Sequence, residues 1–525
     1  MVWPEKKGNI MSDKKQYLIG YSRGAVMPKG LELLVDSLEA GSSEIVTIRK
    51  LASGQRVVSM DAETAVNLAS KHPDLAIEED RELQLFSSMP GLPPLVPTGK
   101  PVVVSFAVND AQSGEPIPEA TVFCVSGQFT YKGGTNRQGL AKVTIPELLP
   151  IRVIISPRDT HWSRILDEMP AKAGLKIQTS LQPIPLKGKY SWGHAAMGLP
   201  RIGDLFSGAG IKIAVIDSGI ARHEDLKTVG GHNTLDGRFG SAWDKDEAGH
   251  GTHSGGIIAA ASQRLGVRGV APGAEIHSLK VCPDGRFSNL LEAINWCIDN
   301  YIDVIQMGLG SQYPSEQIDL ALAEAAAHGI TCVAAVGNDS GAVAYPASNP
   351  NVIAVSAIGR IGTFPDQSAH SLRITGRIGR DGKSFFAGFS NFGPEVTVCA
   401  PGVAIPATVP TGYAAWDGTS TAAAFVAGLA ALILDAFPEI RTGDYKQPQY
   451  VLEIIKSSAT DLGLPGELQG AGLINAERAL GAALARRRQE IDFQSAGRKQ
   501  LESLLDQARK CREEIKSAIA GLETF

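Results

Sequence analysis

The sequence predicts an α/β fold over residues 188–482, with a parallel sheet carrying helices on both faces. Three observations carry this expectation. Apolar runs such as Ile211–Ile216, Val333–Val336 and Val352–Ala357 alternate with segments of helical spacing, the pattern of strands linked by crossover helices. Glycine supplies 57 of 525 residues, well above the usual ~7 %, so tight turns are frequent. The texture changes on either side of this region, and 525 residues exceed one ordinary domain of roughly 100–200. A small α+β unit and a β-sandwich are therefore expected before the sheet, and a C-terminal helix after it.

In chain order, residues 1–16 form a polar tail. Residues 17–86 have strand character at Tyr17–Gly20 and Val57–Met60, and helical spacing at Gly30–Leu38 and Ala62–Lys71. Residues 87–100 are rich in proline and read as a linker. Residues 101–187 hold short β-branched runs (Val102–Val104, Ala120–Val122, Ala141–Ile145, Arg152–Ile155) between turn signals such as Ser113–Pro116, which predicts a β-sandwich. The parallel-sheet unit spans 188–482. Over 483–525, Leu501, Leu505, Ala508, Ile515 and Ile519 recur at three- and four-residue steps and give one apolar helical face. That face either packs on the chain itself or pairs with a partner helix.

Fifty Lys plus Arg against 55 Asp plus Glu leave a net charge of −5. That balance argues against a nucleic-acid binder. With 43 % hydrophobic and 20 % charged residues, the chain can bury a large core. The six cysteines form no CxxC pair, so neither a zinc ribbon nor a disulfide scaffold is signalled. The first residues lack the apolar core of a signal peptide, so the cytoplasm is the expected location, with non-classical export as the alternative. The longest apolar run, Ala422–Leu434, is shorter than the roughly 18 residues of a membrane span. It reads as a buried core helix, with no membrane span expected.

Several residues could carry chemistry, and most have a plainer reading alone. Gly20-Tyr-Ser22-Arg-Gly24 matches a nucleophile elbow, but no convincing helix follows it. His250 and His253 could share a helical face, yet the zinc-peptidase glutamate is missing, and Gly251 disfavours a helix. Asp217-Ser-Gly219 ends an apolar strand; an aspartic protease would need a second copy, and Asp417-Gly-Thr-Ser420 has the wrong order. Ser420 alone suits a helix N-cap, and Asn338 alone suits a turn. Taken together they say more. Asp217, His250 and Ser420 fall at strand ends or helix starts, where parallel α/β sheets gather their sites. Serine needs a base, histidine titrates near neutrality, and a carboxylate can fix the histidine tautomer. The Asn338 amide and the Ser420 backbone N–H could serve an oxyanion.

At this point the chain resembles the subtilisin-like serine proteases (subtilases, peptidase family S8). The motifs are Ile213-Ala-Val-Ile-Asp217-Ser-Gly-Ile220, Gly249-His250-Gly-Thr-His253-Ser-Gly-Gly256 and Gly418-Thr-Ser420-Thr-Ala422. Gly269-Val-Ala-Pro272, Ala335-Val-Gly-Asn338, Tyr345-Pro-Ala347, Phe389-Ser-Asn-Phe-Gly-Pro394 and Ala400-Pro-Gly402 join them in order. The resemblance implies a subtilisin-like sheet and a serine endopeptidase acting on proteins or peptides. By it, Asp217 orients His250, His250 is the base and then the acid, Ser420 is the nucleophile, Asn338 the oxyanion donor and His253 a support. It places substrate backbone along Gly308, Leu309 and Gly310. It makes Ala335, Val336, Gly337 and Ala344 the wall for P1 (the residue whose carbonyl is attacked), and Phe287 with Leu290 the rim for P4. The walls imply an apolar or aromatic P1.

The resemblance also makes residues 17–86 an intramolecular chaperone and inhibitor, a partner carried in the same chain, with Ala76–Phe86 as its tail and Phe86 as P1 for self-cleavage. A permanently attached domain is the competing reading. No cofactor is required. A structural calcium ion would fall at Asp225, Gln263 and the carbonyls of Leu265 and Val267, although one carboxylate is thin for a hard cation. The sandwich motifs Gly114–Val122 and Gly134–Gly139 resemble carboxypeptidase-regulatory-like modules, which would dock substrate or act as a spacer.

Two departures from the family pattern matter. Thr421 follows the nucleophile where methionine is usual, so activity is expected to survive dilute peroxide, there being no thioether beside Ser420 to oxidise; rapid inactivation would contradict this. Ala424 replaces a proline and leaves peptide ligation open as a second activity. A catalytically silent binding protein is the third reading.

Overall fold

A computed structural model describes residues 14–22, 36–37, 44–86, 100–126, 129–147, 150–170, 172, 174–186, 190–235, 242–262, 266, 268–489 and 510. The expected Pro-rich linker and most of the C-terminal helix lie outside these residues, as does the helix expected at Gly30–Leu38 apart from residues 36–37.

The N-terminal unit is a four-stranded antiparallel sheet, β1 (Lys15–Tyr21), β2 (Val46–Lys50), β3 (Arg56–Met60) and β4 (Leu75–Glu79), in the order β2-β3-β1-β4. Helix α1 (Ala62–Lys71) covers it, with Asp61 accepting from the Thr64 N–H at 2.8 Å, a helix N-cap. Leu68 and Ala65 of α1 are buried with Ile19, Val58 and Met60. A short strand β5 (Gln84–Leu85) follows.

Residues 101–181 form two facing sheets. One holds β7 (Thr121–Ser126), β8 (Phe129–Gly134), β10 (Pro150–Ser156) and β11 (Arg164–Pro170). The other holds β6 (Pro101–Asp110), β9 (Leu140–Pro146) and β12 (Lys176–Leu181). Alternation decides which side chains meet: Val102, Val104, Phe106 and Val108 of β6 are buried against Val122 and Cys124 of β7, as period-two strands require.

The large unit is a nine-stranded sheet. Its strands are β13 (Lys212–Asp217), β14 (Thr228–Asn233), β15 (Glu275–Lys280), β16 (Val304–Met307), β18 (Thr331–Ala335), β19 (Val352–Arg360), β20 (Ile374–Ile378), β21 (Ser384–Ala387) and β22 (Val398–Pro401). The order is β14-β15-β13-β16-β18-β19-β21-β20, with β22 also beside β19. Strands β13 to β16, β18, β19 and β22 pair in parallel, while β20 and β21 add an antiparallel edge that the apolar pattern did not reveal. Strand β17 (Leu309–Gly310) pairs with β5, and β23 (Ile405–Val409) forms a hairpin with β24 (Gly412–Trp416).

Each central strand splits its side chains between two cores. Ile213, Val215 and Val333 join α2 (His250–Ala259) and α5 (Thr419–Ala436) on one face. Ala214, Ile216, Met307 and Ala334 join α3 (Phe287–Asp299) and α4 (Glu316–Ala327) on the other. Both faces are covered, which explains why these strands read as continuous apolar runs. Helix α5 is longer than its apolar run. It is long and apolar enough to cross a bilayer, but 94 % of it is buried inside the protein, so it serves as the central core helix. Residues 476–489 are also helical, and Ala479, Leu480 and Ala483 pack into the same core.

Candidate active site

Strand β13 lies between β15 and β16, where the chain changes direction across the sheet. Such a switch point opens a crevice at the strands' carboxyl ends. Asp217 is the last residue of β13, and Asn338 follows β18 by three residues. His250 opens α2, and Ser420 is the second residue of α5. Ser420 therefore does not cap its helix, contrary to its plain reading, and its oxygen is available. Gly251 does not prevent the helix either. A Cβ there would come within 2.1 Å of the Gly219 carbonyl oxygen, so glycine is what lets α2 sit against the turn after Asp217.

His250 Nδ1 lies 2.7 and 2.9 Å from the two Asp217 carboxylate oxygens, and Nε2 lies 2.8 Å from Ser420 Oγ. All three residues are buried. Burial alone would lower the His250 pKa, but the Asp217 charge and hydrogen bond outweigh it and hold the imidazole above its ordinary value. Only neutral His250 can accept a proton. In the uninhibited enzyme kcat/KM should therefore rise with pH through an ionisation above the ordinary histidine value of about 6.5; a limb at or below that value in a pH–rate profile would contradict this.

The segment Arg81–Phe86 occupies the crevice as a strand. Leu85 pairs with Leu309, and Gln84 with Gly310. The Phe86 N–H donates to Gly308 O at 3.1 Å, Leu83 N–H to Gly285 O at 2.8 Å, and Phe287 N–H to Arg81 O at 3.0 Å. Asn338 Nδ2 donates to the Phe86 carbonyl oxygen at 2.7 Å, and Ser420 Oγ lies 3.3 Å from that oxygen. The Asn338 amide is aimed by its own oxygen, which accepts from the Thr419 N–H at 3.0 Å and Thr419 Oγ1 at 2.8 Å. The Phe86 ring is buried in the same cluster as Ala335 and Ala344. A Cβ at Gly310 would come within 2.6 Å of the ring, so glycine admits it. Leu83 shares a cluster with Phe287, Leu290 and Val336, and Gly337 lies between Val336 and the amide-bearing Asn338. Of the residues expected to hold substrate, Gly308, Leu309, Gly310 and Phe287 thus pair with or bond to this strand directly.

The N-terminal unit is held on two helix starts. Asp80 accepts from the Ser288 N–H and Oγ at the head of α3 (2.9 and 2.8 Å), and Glu78 accepts from the Glu316 N–H at the head of α4 (2.9 Å). Carboxylates are favoured at these positive ends.

Sequence reasoning missed three groups around the site. Asp246 is buried and accepts from Ser218 Oγ, the Gly249 N–H, the Thr252 N–H and Thr252 Oγ1, at 2.6 to 2.8 Å. Ser218 in turn reaches Asp217 through its backbone N–H at 2.7 Å. Burial pushes the Asp246 pKa up against hydrogen bonds that favour its charged form. Its signal was legible: a carboxylate one turn before a helix start. Asp246→Ala should cost roughly 2–4 kcal/mol, because it strands buried donors. A lowered unfolding midpoint in an inactive Ser420→Ala background would show this; an unchanged midpoint would contradict it. Asp417 is the second group. It accepts from His370 Nδ1 (2.6 Å), Arg373 Nε (3.0 Å) and the Ala404 N–H (2.8 Å). Burial acts to raise its pKa, but its contacts to His370 and to the Arg373 guanidinium hold it far below the carboxylate range. No local pattern links residues 370, 373 and 417. Thr419 is the third group, as the orienting partner of Asn338.

His253 donates to the carbonyls of Ile405 and Ala414 and stacks on Trp416 at 4.8 Å. Burial lowers its pKa to about 4, so it stays neutral as a support. Thr421 Oγ1 donates to Gly418 O at 2.6 Å. Helix α5 runs unbroken through Ala424, and Ser420 keeps its contact to His250. Of the residues expected at a calcium site, Gln263, Leu265 and Val267 lie outside the described residues. Asp225 accepts from Tyr413 Oη at 2.6 Å. Among the described residues no group of three His, Cys, Asp or Glu side chains could hold a metal ion. The decoy Ser22 lies just past β1, its N–H bonded to Asp74 O.

The model of the subtilase family matches residues 208–473. Subtilisin DY of Bacillus licheniformis is 36 % identical over 284 residues, covering 52 % of this chain and 92 % of that protein. An alkaline protease of Alkalihalobacillus alcalophilus is 33 % identical over 346 residues, 64 % of this chain and 80 % of its own length. Subtilisin Savinase of Lederbergia lenta is 34 % identical over 294 residues, 55 % and 97 % respectively.

Proposed function

The chain belongs to the subtilase family and is a serine endopeptidase of it, and we propose that it cuts after apolar or aromatic residues and is made as a self-processing zymogen. The observation that carries the reading is the Phe86 carbonyl, which sits on the Asn338 amide beside Ser420 while its backbone N–H holds Gly308. That is the placement of a P1 residue at an oxyanion donor.

In this reading Ser420 Oγ attacks the carbonyl carbon as His250 Nε2 takes its proton. Negative charge passes to the carbonyl oxygen, where the Asn338 N–H meets it. Asp217 stabilises the imidazolium and fixes its tautomer. His250 then gives the proton to the departing amine, leaving an acyl-enzyme that water opens by the same steps in reverse. The apolar wall around Phe86 favours a ring or a long aliphatic chain at P1, because burying it removes apolar surface from water. Residues 17–86 inhibit by leaving their own product-like end in the crevice.

Intact mass spectrometry of wild type beside Ser420→Ala, followed over hours, tests this. Wild type should lose a fragment ending at Phe86 and the variant should stay whole. A cut far from Phe86 would overturn the P1 assignment. An uncut wild type that a fluorophosphonate still labels would make residues 17–86 a permanent domain, and an unlabelled one would remove the nucleophile assignment.

A further inference from the structure

The β-sandwich is joined to the peptidase unit at the edge of the active site. Thr160 N–H donates to Tyr413 O (2.7 Å), Ile165 N–H to Gln367 O (2.6 Å), and the Ala369 N–H to Ser163 Oγ (3.0 Å). Trp162 is buried in the peptidase core and meets the His370 ring edge-on at 5.5 Å. These contacts fall on the segments that carry Trp416 and the Asp417 network, four and three residues before Ser420. Between the sandwich and the peptidase unit lies a cavity of about 420 Å³. Its floor includes His250 and Ser420. Phe123, Pro157 and Arg158 come from the sandwich side, and Ala414 and Trp416 from the peptidase side.

The strand Arg81–Phe86 fixes which half of a substrate would enter. Residues before the scissile bond lie along Gly308–Gly310 and Gly285–Phe287; neither of those segments lines the cavity, and of the bound strand Arg81–Phe86 only Leu85 reaches it. The chain beyond the attacked carbonyl continues past Ser420, which with Thr421 and Trp416 lines the cavity. We infer that the outer face of the β-sandwich is part of the substrate site: it walls a subsite for the first residues after the scissile bond and selects peptides with an apolar side chain there. The inference rests on Ser420 being the nucleophile. Phe123 is half-buried on the outward side of β7, its neighbours Val122 and Cys124 facing inward or flanking it, and it shares the cavity with the indole of Trp416. The charged groups at the wall are already matched, Arg158 with Glu119 and Arg373 with Asp417, so an apolar side chain fits better than a charged one. The sandwich precedes the residues matched by the family model, so this wall is additional to the peptidase unit. It also follows Phe86, so maturation at that bond would keep it on the enzyme.

Internally quenched peptides with Phe fixed at P1 and Ala, Leu, Phe or Asp in the two following positions test this. Wild type should favour Leu or Phe over Ala there by about 10-fold in kcat/KM, the scale of an apolar pocket. Phe123→Ala should shrink that ratio to about 2-fold, and Phe123→Trp should turn the preference towards Leu over Phe. A destabilised enzyme would lose rate on every peptide and leave the ratio unmoved. No preference in wild type, or a ratio untouched by both variants, overturns the subsite. A wild type that also fails on a p-nitroanilide with Phe at P1 would instead overturn the peptidase reading beneath it.

Discussion

Ser420→Ala is expected to lower kcat by about 10⁶-fold, the magnitude measured on a subtilisin for loss of its nucleophile. The reason is geometric. Ser420 Oγ is the atom 2.8 Å from His250 Nε2, and the neighbouring hydroxyls are directed elsewhere: Thr419 turns its oxygen to Asn338 and Thr421 turns its own to Gly418 O. His250→Ala should cost about as much, and the double variant no more than either, because serine and base act as one unit. Turnover of a p-nitroanilide with Phe at P1, with the residues 17–86 fragment removed, would measure all three. Losses that multiply in the double variant would mean that His250 and Ser420 work independently, and the hydrogen bond between them would not be the catalytic one.

Asn338→Ala should lower kcat by about 10²–10³-fold with little change in KM; the magnitude is that measured for the equivalent donor of a subtilisin. A donor aimed at the developing oxyanion strengthens its bond as the oxygen gains charge, so its loss appears in kcat rather than in binding. The amide is oriented beforehand, since Thr419 supplies two hydrogen bonds to Asn338 Oδ1. Thr419→Val, which keeps the backbone donor and loses the hydroxyl, should give a smaller loss in the same direction. A rise in KM with kcat unchanged would make Asn338 a ground-state binding group, and the oxyanion assignment would fall.

The sequence carried the peptidase unit well because its signals are local. The apolar runs that become β13, β18 and β19 are buried on both faces, so composition alone marks them. Asp217, His250 and Ser420 each sit in a short motif whose glycines fix the neighbouring backbone. Helix α1 was legible at Ala62–Lys71 from spacing, and its Asp61 cap came from the structure. Other features had no local signal. In the antiparallel edge, β20 is largely exposed and β21, though buried, is only four residues long, so their strand character depends on pairing. Asp246 was readable as a carboxylate before a helix, but its four partners assemble only when α2 packs against the turn at Ser218. Asp417 looked like a mis-ordered motif until residues 370 and 373 came beside it.

By itself, then, the sequence determined the chemistry available and the order in which the chain presents it: a carboxylate, an imidazole, a carboxamide and a hydroxyl at strand ends and helix starts, where backbone geometry is set by a few neighbouring residues. Tertiary structure alone decided where those groups stand to within hydrogen-bond distance, that Phe86 lies on the Asn338 amide, and that the sandwich closes over one side of Ser420. Distances between residues 33, 170 and 334 positions apart depend on the packing of whole sheets and helices, and no stretch of sequence encodes them locally.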